Sequence, residues 1–397
     1  MQGDPSIAIA HKDYDVRGGG EILAEHLART FGAPLYVGHG HPANEPEDAD
    51  FDVREIAPES RYHRFMDGGG GVLRGIAHMF HWRDNARRDL REFDTLVLSG
   101  NEPLWYLPDD DQTVVAYTHS TPRHMYDLHN DMDGFVSRTY NQVQRRLYEG
   151  CAKRPDLFVA NSDRVARRIR QYWNVPADQI RVVYPPIETS KYSPDDAETG
   201  DYYVTVGRLD RLKHVDEIVR ECNRRGAKLV VAGDGPERDH LEKLAGPTVE
   251  LAGYVSEERK RELLAGARAF IFNAANEDFG IAPVEAFAAG TPVIGVREGF
   301  TAYQVRDGEN GMLFDRGRLG AALDRFERAG VTWSDAQIAE FARLNFSLGA
   351  FEQGMREAVQ EAERRAAVEP DFSLPAPELD TSESPVVEAE TDGGEPR

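Results

Sequence analysis

The sequence predicts an α/β protein of two doubly wound domains. Short apolar runs alternate with segments of helical periodicity, which is typical of parallel sheets covered by helices on both faces. The alternation stops at a proline-containing polar segment and then restarts with a repeat of about 20–25 residues, as expected of βα units. A chain of 397 residues is too long for one ordinary α/β domain and comfortable for two.

In the first half, strands are predicted at short apolar runs and helices where apolar residues recur every three or four positions. The predicted strands are residues 7–11, 35–37, 96–99, 114–118, 157–160 and 181–183. The predicted helices are residues 20–31, 135–153 and 163–173. The glycine run 68–71 is typical of a flexible loop.

Residues 184–200 interrupt this pattern, because Pro185-Pro186 can continue neither a helix nor a central strand. We place the boundary between the domains there, with a first domain over 1–186 and a second over 187–345. The second domain's strands are predicted at 202–206, 228–231, 249–251, 269–272, 292–296 and 311–314. Its main helices are predicted at 215–224, 236–244, 256–265, 283–289 and 334–344.

The C-terminal part is predicted to hold one more helix, within 346–365, and then a tail over 366–397. The tail is acidic, rich in Pro, Ser and Thr, and has few apolar residues. A segment of this composition cannot bury enough apolar surface to fold alone, so we interpret it as disordered. A solvated tail and a partner-docking tail both fit this composition.

Composition narrows the class of protein further. The chain has no run of roughly 18 apolar residues, and Met1 to Ile9 lack a basic segment followed by a long apolar stretch. Cys151 and Cys222 are too few for a disulfide framework or a zinc site. We therefore expect a cytoplasmic protein without a membrane-spanning helix or a secretory signal.

Charge narrows the range of partners. A formal net charge of -22 repels phosphate backbones and argues against a nucleic-acid partner. Of the 47 basic residues, 40 are arginines and 7 are lysines. Abundant Asp and Glu with scarce Lys is interpreted as adaptation to high salt, where charge is screened.

The strongest candidate for a ligand site is the turn between the predicted strand 269–272 and the next helix. Pro283 suits a first helical turn, and Gly290 suits the end of the helix. Unpaired amide groups at such a helix start favour a diphosphate, and carboxylates nearby accept hydrogen bonds from sugar and ribose hydroxyls. The alternative is a solvated loop and helix face. The candidate residues here are Glu277, Asp278, Phe279, Gly280, Ile281 and Glu285.

A second candidate follows the first strand of the second domain, at residues 206–213. Gly207 allows close approach of the backbone, and Arg208 and Lys213 are placed to bind two phosphates. Two solvated surface cations are the alternative. Residues 232–237 resemble half of a dinucleotide fingerprint, but position 238 is Arg238, so an NAD site is not predicted. From the neighbouring loops we select Gly235, Pro236 and Val255 as nucleotide-contact candidates.

Two candidates lie in the first half. Gly18, Gly19 and Gly20 follow the first predicted strand and permit close approach of an anion or a sugar. His119 stands at the carboxyl end of another predicted strand, where ligands of doubly wound sheets bind. A flexible loop and a structural histidine are the respective alternatives. Asp-x-Asp pairs such as Asp13/Asp15 are expected by chance in so acidic a chain, and no metal site is predicted.

These motifs, taken in order, resemble glycosyltransferase family 4. The resemblance rests on residues 206–213, 232–237, 251–256, 277–285, 289–293 and 307–314, which span most of 201–315. In the first half it rests on Gly18–Gly20, residues 158–162 and residues 182–187. The His119-x-x-Pro122 stretch is similar to bacterial mannosyltransferases of O-antigen and capsule assembly.

The resemblance implies a GT-B fold, in which two Rossmann-like domains face a cleft and the helix within 346–365 crosses back to the first domain. It implies that Glu277 contacts the donor sugar and that Glu285 holds the ribose hydroxyls. It implies that Arg208 and Lys213 bind the diphosphate and that Gly19 and Gly20 approach the donor phosphate or the acceptor. His119 corresponds to the active-site histidine. Glu21 follows the glycines and Ile22 stands where the family often has a charge, so the acceptor side departs from the family pattern.

The function expected from this resemblance is transfer of a hexose from a GDP- or UDP-sugar with retention of configuration and without a cofactor or metal. The His119-x-x-Pro122 stretch favours mannose. The expected acceptor is a glycan or a polyprenol-linked sugar in the assembly of a cell-surface polysaccharide or glycoprotein glycan. A sugar-nucleotide epimerase or phosphorylase of the same fold, and a non-catalytic binding protein, are the alternatives.

Two basic-aromatic stretches suggest a peripheral contact with the inner face of a membrane. One holds Phe80 and Trp82 among the arginines at 83, 87, 88 and 91. The other holds Arg138, Arg145, Arg146, Lys153 and Arg154. Ordinary solvated helices are the alternative for both.

Overall fold

The computed structural model describes residues 6–15, 18–40, 49–60, 71–126 and 135–367. The predicted tail from position 368 onward and the predicted glycine loop at 68–70 lie outside the described residues. Within the described part, the chain forms two parallel sheets of seven and six strands.

The first sheet has the strand order β3-β2-β1-β4-β5-β6-β7. Its middle strands are almost wholly buried, as expected of a parallel sheet covered on both faces. The strands are β1 Ile7–Tyr14, β2 Leu35–Gly40, β3 Val53–Glu55, β4 Thr95–Ser99, β5 Thr113–Thr118, β6 Leu157–Ala160 and β7 Ile180–Val182. The helices around it are α1 Gly19–Phe31, α2 Gly71–Phe80, α3 Ala86–Leu90, α4 Arg123–Tyr126, α5 Phe135–Cys151 and α6 Asp163–Trp173.

The second sheet has the strand order β10-β9-β8-β11-β12-β13. Its strands are β8 Tyr202–Val206, β9 Lys228–Ala232, β10 Val249–Gly253, β11 Ala269–Phe272, β12 Val293–Val296 and β13 Gly311–Phe314. Its helices are α7 Val215–Arg225, α8 Arg238–Leu244, α9 Glu257–Ala265, α10 Ile281–Ala288, α11 Thr301–Gln304, α12 Leu319–Ala329 and α13 Asp335–Phe346. Both sheets confirm the predicted α/β, doubly wound class.

Both sheets reverse their strand order beside their first strand. β1 lies between β2 and β4, and β8 lies between β9 and β11. Connections leave such a point toward opposite faces, so a crevice opens at the carboxyl ends of the strands. In the first sheet the register places His11 of β1 directly opposite Ser99 of β4 at this crevice.

The last described helix, α14 Leu348–Ala366, returns to the first sheet. Phe351 and Met355 are buried in the same apolar cluster as Ile9 and Leu27 of the first domain. At the far end, the guanidinium of Arg181 donates two hydrogen bonds, of 2.7 and 2.9 Å, to the carboxylate of Glu361. The last described helix therefore fastens the second domain to the first.

Several elements differ from the sequence-based expectation. The strand β3 is only three residues long and has no apolar run that could reveal it. Gly71 begins α2 rather than a loop. α12 was missed, although its buried Leu319, Leu323 and Phe326 follow helical spacing. We find no helix among the described residues with the length and hydropathy needed to cross a membrane.

Candidate active site

The centre of the candidate site is an ion pair between two turns of the second domain. Lys213 ends the 3₁₀ turn Arg211–Lys213 after β8, and Glu277 lies in the turn after the neighbouring strand β11. Lys213 Nζ lies 2.7 Å from Glu277 Oε2. The main chains of the two turns also meet, because the Ala275 N–H donates to the Leu212 carbonyl at 2.7 Å. Two residues selected from separate motifs are thus brought together by adjacent parallel strands.

A small pocket lies beside this ion pair. Arg208, Lys213 and the backbone of Gly207 line one side, and Phe272 and Asn273 line the other. Arg208 is exposed. Its guanidinium forms no ion pair with any residue that the structure describes, so its charge is available to an anion.

The turn that carries Glu277 is held by close backbone contacts. Phe300 N–H donates to the Glu277 carbonyl at 2.9 Å, and a Cβ on Gly299 would lie only 2.5 Å from that oxygen. The Gln304 side chain donates to the Gly280 carbonyl at 3.1 Å. Gly280 has φ of 81° and caps α10, so this helix begins at Ile281, two residues earlier than predicted. The main chain around Glu277 is therefore fixed, with the first amides of α10 beside it.

The glycines of the loop after β9 allow it to approach a neighbouring loop closely. A Cβ on Gly233 would lie 1.9 Å from the Gly207 carbonyl oxygen, and one on Gly235 would lie 2.4 Å from the Leu209 carbonyl oxygen. Gly235 thus lets the loop after β9 pack on the loop that carries Arg208. Pro236, chosen with it, is exposed.

Val255, the remaining nucleotide-contact candidate, is only partly exposed. It packs against the apolar core of the second domain. The structure therefore gives Val255 a packing contact and shows no feature that marks it for nucleotide binding.

Two loops of the first domain face this site. A Cβ on Gly19 would lie 3.7 Å from Ile281 Cδ1, so Gly18–Gly20 at the start of α1, which we call the glycine loop, meet the start of α10 across the cleft. A Cβ on Gly20 would lie 3.9 Å from His119 Cε1. Gly19, Gly20, His119 and Ile281, predicted from three separate parts of the sequence, therefore border one cleft.

His119 is held in a neutral form at this cleft. Its Nε2 lies 2.8 Å from the hydroxyl of Ser99. Burial lowers the pKa of His119 to about 3, and the nearby His11 and Lys12 act in the same direction. A neutral imidazole can accept one hydrogen bond and donate another, which suits contact with a sugar hydroxyl.

Asp278 and Phe279 were expected to contact the donor, but neither lines the small pocket beside the Lys213–Glu277 ion pair. The Ser120 hydroxyl donates to Asp278 Oδ2 at 2.6 Å, and the Arg168 guanidinium donates to Oδ1. The Ser162 hydroxyl donates to the Asp278 carbonyl at 2.6 Å. These partners all belong to the first domain, so Asp278 joins the domains. The ring of Phe279 is 5% exposed and packs in the core of the second domain, which removes its side chain from the candidate sugar contacts.

Glu285, the candidate for the ribose, lies on α10 with its side chain 14% exposed. It accepts hydrogen bonds from the Tyr192 hydroxyl at 2.9 Å and from Lys260 Nζ at 2.8 Å. Burial alone would lower the pKa of Lys260, but Glu285 and Glu257 raise it above its ordinary value. Two donors thus hold the carboxylate of Glu285 in place, as suits a group that binds hydroxyls.

Sequence reasoning missed two buried polar residues next to His119. His11 and Ser99 are both 0% exposed and form a hydrogen bond of 3.0 Å with each other. Both end apolar strands that were predicted, and a polar side chain at the carboxyl end of such a strand is the signal that could have found them.

A wider cleft opens on the other side of the Glu277 turn, with a volume of about 720 Å³. It lies between the domains and is lined mainly by arginines and tyrosines. We call it the arginine–tyrosine cleft and define it by Tyr126, Arg164, Arg167, Arg168, Tyr172, Asn276, Arg297, Gly299 and Tyr303.

Charge and aromatic surface are combined in this cleft. The rings of Tyr126 and Tyr172 are stacked with centroids 4.3 Å apart. The Arg167 guanidinium lies over the Tyr303 ring, 5.2 Å from its centroid, and donates to its hydroxyl. Arg297 lies 3.6 Å from Asp307 and 3.5 Å from Asp315, too far for direct hydrogen bonds.

The basic-aromatic stretches contain residues with structural roles. Trp82 is 0% exposed and belongs to the core of the first domain. The expected contact of its side chain with a membrane is therefore wrong. The Arg154 guanidinium donates to the Tyr106 carbonyl at 3.0 Å. The Arg145 guanidinium donates to the Met125 carbonyl. Phe80 remains 37% exposed.

Two family models match the chain. The model described as Glycosyltransferase Family 4 matches residues 17–191, and the model described as Glycosyl transferases group 1 matches residues 187–335. A D-inositol 3-phosphate glycosyltransferase of Acidothermus cellulolyticus is 31% identical over 211 residues, which cover 44% of this chain and 47% of the relative. The chain thus spans about half the length of this relative.

Solved structures share the whole fold. The apo form of the lipopolysaccharide outer core galactosyltransferase WaaB has a TM-score of 0.68 at 16% identity, over 89% of this chain and 99% of its own. The Anabaena protein Alr3699/HepE in complex with UDP has a TM-score of 0.66 at 17% identity, over 89% of this chain and 100% of its own. At such identities the likeness establishes the two-domain fold.

The low pKa of His119 predicts how stability depends on pH. The unfolded chain binds a proton at His119 near pH 6.5, whereas the folded chain does so only near pH 3, so acid favours unfolding. Between pH 7.5 and 5, His119 should lower the free energy of unfolding by roughly 1–2 kcal/mol. Urea unfolding of the wild type and H119N at both pH values measures this loss, which H119N should lack.

The matched control is H240N, which replaces an exposed histidine of the second domain. It should keep the wild-type difference between the two pH values. The prediction is wrong if H119N loses as much stability on acidification as the wild type.

Proposed function

Because the chain carries the two domains of the family 4 and group 1 glycosyltransferases in order, it belongs to the glycosyltransferases of GT-B fold, and we propose that it transfers a hexose from a nucleoside diphosphate sugar with retention of configuration. The observation that carries this proposal is the Lys213–Glu277 ion pair beside Arg208, at the start of α10 and across from the first domain's glycine loop.

The donor diphosphate would bind between Arg208, Lys213 and the first amides of α10. Charge builds up on the diphosphate as the bond to the sugar breaks, and cations fixed beside it stabilise that charge. The amides of Gly280 and Ile281 add the positive end of a helix. In this proposal, the diphosphate and Glu277 lie on opposite sides of the Lys213 ammonium, so that Lys213 contacts both.

Glu277 would orient the sugar, because its main chain is fixed by Gly299 and Phe300. Glu285 would hold the ribose through the carboxylate that Tyr192 and Lys260 fix in place. No side-chain carboxylate is assigned as a nucleophile, so we propose a displacement on one face of the sugar, assisted by the leaving diphosphate. GDP-mannose and the UDP-hexoses are the donors to examine first.

The acceptor is proposed to carry a phosphate and to bind in the arginine–tyrosine cleft. Its volume suits a sugar phosphate, and Asn276 and Gly299 place it next to Glu277. Arginine forks bind phosphate, and aromatic rings bind the apolar faces of sugars. The similarity to an inositol 3-phosphate glycosyltransferase supports this class of acceptor. Glycans linked to polyprenol phosphates have the same chemistry.

Substitutions at the donor site test the proposed reaction. E277Q keeps the size of the side chain but removes its charge, and R208A removes one diphosphate contact. Each should lower kcat by at least ~100-fold, because both groups act where charge develops. The loss of kcat is measured as the turnover of UDP- and GDP-hexoses with an added acceptor. Hydrolysis of the donor alone is the reference.

R211A is the matched control, since Arg211 is exposed, stands three residues after Arg208 and does not line the pocket. Its turnover should stay near that of the wild type. Near-normal activity of both E277Q and R208A would show that the donor site lies elsewhere.

Substitution of Arg167 tests the acceptor cleft. R167A should raise KM for D-inositol 3-phosphate or a polyprenol-diphosphate-linked sugar by about tenfold or more, the effect of losing one charge-assisted hydrogen bond. KM for the donor should not change. The exposed Arg328 of α12 provides the control R328A. An unchanged acceptor KM in R167A would place the acceptor outside this cleft.

A peripheral membrane contact is proposed for the surface near α2 and α3, where Phe80 and the arginines at 83, 87, 88 and 91 remain at least partly exposed. Liposomes containing anionic lipid should carry the protein upward in a flotation gradient, while neutral liposomes should not. If the protein floats with neither kind of liposome, the proposed membrane contact is wrong.

A further inference from the structure

Three polar side chains form a connected group: His11 within β1, Ser99 at the carboxyl end of β4 and His119 directly after β5. The hydroxyl of Ser99 lies 3.0 Å from His11 Nδ1 and 2.8 Å from His119 Nε2. Ser99 and His11 are 0% exposed, so no contact with bulk water competes with these bonds. The register that pairs His11 with Ser99 explains why the group forms.

The number of protons in this group limits its arrangement. The Ser99 hydroxyl has one hydrogen and can donate it to only one of the two rings. The other ring must donate its own N–H to the Ser99 oxygen. Two arrangements of neutral rings are therefore possible: Ser99 donates to His11 and accepts from His119, or it donates to His119 and accepts from His11.

The carboxylate of Glu21 distinguishes these arrangements. Glu21 Oε1 lies 3.6 Å from His11 Nε2. Burial opposes ionisation of Glu21, but His11, main-chain amide groups and Lys12 outweigh it and hold the pKa of this carboxyl at about 2. A hydrogen on His11 Nε2 would point toward this negative charge, whereas a lone pair there would be repelled by it. His11 therefore carries its hydrogen on Nε2 and accepts the Ser99 hydrogen at Nδ1.

The position of the hydrogen on His119 follows. With the Ser99 hydrogen directed to His11, His119 must donate from Nε2, and its Nδ1 keeps a lone pair. Nδ1 makes no hydrogen bond with any described residue, and His119 is a partly exposed residue whose ring lies beside Gly20 at the cleft.

We propose that Ser99 and His11 are positioning residues that hold His119 in the Nε2–H tautomer, so that its Nδ1 accepts a hydrogen bond from a hydroxyl of the bound hexose. This inference rests on the proposed transfer of a hexose. No proton is transferred in this arrangement. The ring fixes the direction of one sugar hydroxyl, whereas a hydrogen on Nδ1 would reverse this bond and donate to the oxygen of that hydroxyl.

The same group connects His119 with the glycine loop. Glu21 Oε2 accepts a hydrogen bond of 3.0 Å from the Gly18 N–H, while its Oε1 faces His11. A displacement of this loop would move the carboxylate that selects the tautomer. The loop near the donor and the ring near the sugar are therefore coupled through Glu21, His11 and Ser99.

The tautomer is measured directly by long-range ¹H–¹⁵N correlation spectra of the full chain labelled with ¹⁵N-histidine at pH 8. The chain has 12 histidines, and the signals missing from H119N identify His119. The expected result is a protonated Nε2 and an unprotonated Nδ1 in the wild type. A protonated Nδ1 in the wild type would overturn the proposal, and this measurement needs no variant other than the one used for assignment.

Two substitutions test the positioning role. S99A removes both hydrogen bonds and should give a mixture of His119 tautomers, with kcat about tenfold lower and donor KM little changed. E21Q can still accept from Gly18 but has no charge, and it should shift the tautomers in the same direction. Wild-type spectra and wild-type kcat in S99A would overturn the proposal.

T118V is the matched control. The Thr118 hydroxyl is buried on β5, one residue before His119, and has no hydrogen-bond partner among the described residues. Its replacement should change neither the tautomer nor kcat. If the wild type transfers sugar from no donor, the proposed function fails, while the wild-type spectrum still decides on the tautomer.

Discussion

The ammonium of Lys213 and the carboxylate of Glu277 lie 2.7 Å apart because β8 and β11 are neighbours in a parallel sheet. Each charge limits the cost of placing the other in a cleft that is partly shielded from water. Both side chains are held in position, because the Ala275 N–H donates a hydrogen bond to the Leu212 carbonyl and so joins the turns that carry them. The pocket with Arg208 and the start of α10 are arranged around this fixed pair.

The relation between the two domains depends on the same turn. Glu277 faces Lys213 of the second domain, and the next residue, Asp278, accepts hydrogen bonds from Ser120 and Arg168 of the first. Consecutive residues thus hold the proposed donor site and join it to the other half of the cleft. A change in the angle between the domains would have to break contacts beside Glu277. In the proposed reaction, closure of the domains and orientation of the sugar would therefore occur together.

The sequence was sufficient for the fold class and for bringing the main candidates to one cleft, because parallel strands impose this geometry. Arg208, Lys213 and Glu277 follow strands whose apolar runs were unmistakable, and His119 follows another. The directions of individual side chains could not be read in this way. Asp278 and Phe279 stand beside Glu277, yet one turns to the first domain and the other into the core. Trp82 lies among arginines in sequence, but its indole ring is buried.

The His11–Ser99–His119 group shows why such contacts escape a reading of sequence. His11 and Ser99 are 88 positions apart, and only the register between β1 and β4 places them opposite each other. Each residue alone is an ordinary polar end of an apolar strand. Their effect on His119 depends on one hydroxyl hydrogen that the two rings share next to a carboxylate. This arrangement requires β1, β4, β5 and the start of α1 together.

The overall charge of -22 opposes the approach of an anionic donor, but its influence on the site is limited by distance. At physiological ionic strength, charges more than about 8 Å apart in solvent are largely screened from each other. The charged side chains that line the pocket beside α10 are Arg208 and Lys213, and Glu277 pairs with Lys213 as the opposing charge. Local charge therefore decides whether the anion binds, and the surface acids can serve solubility without interfering with it.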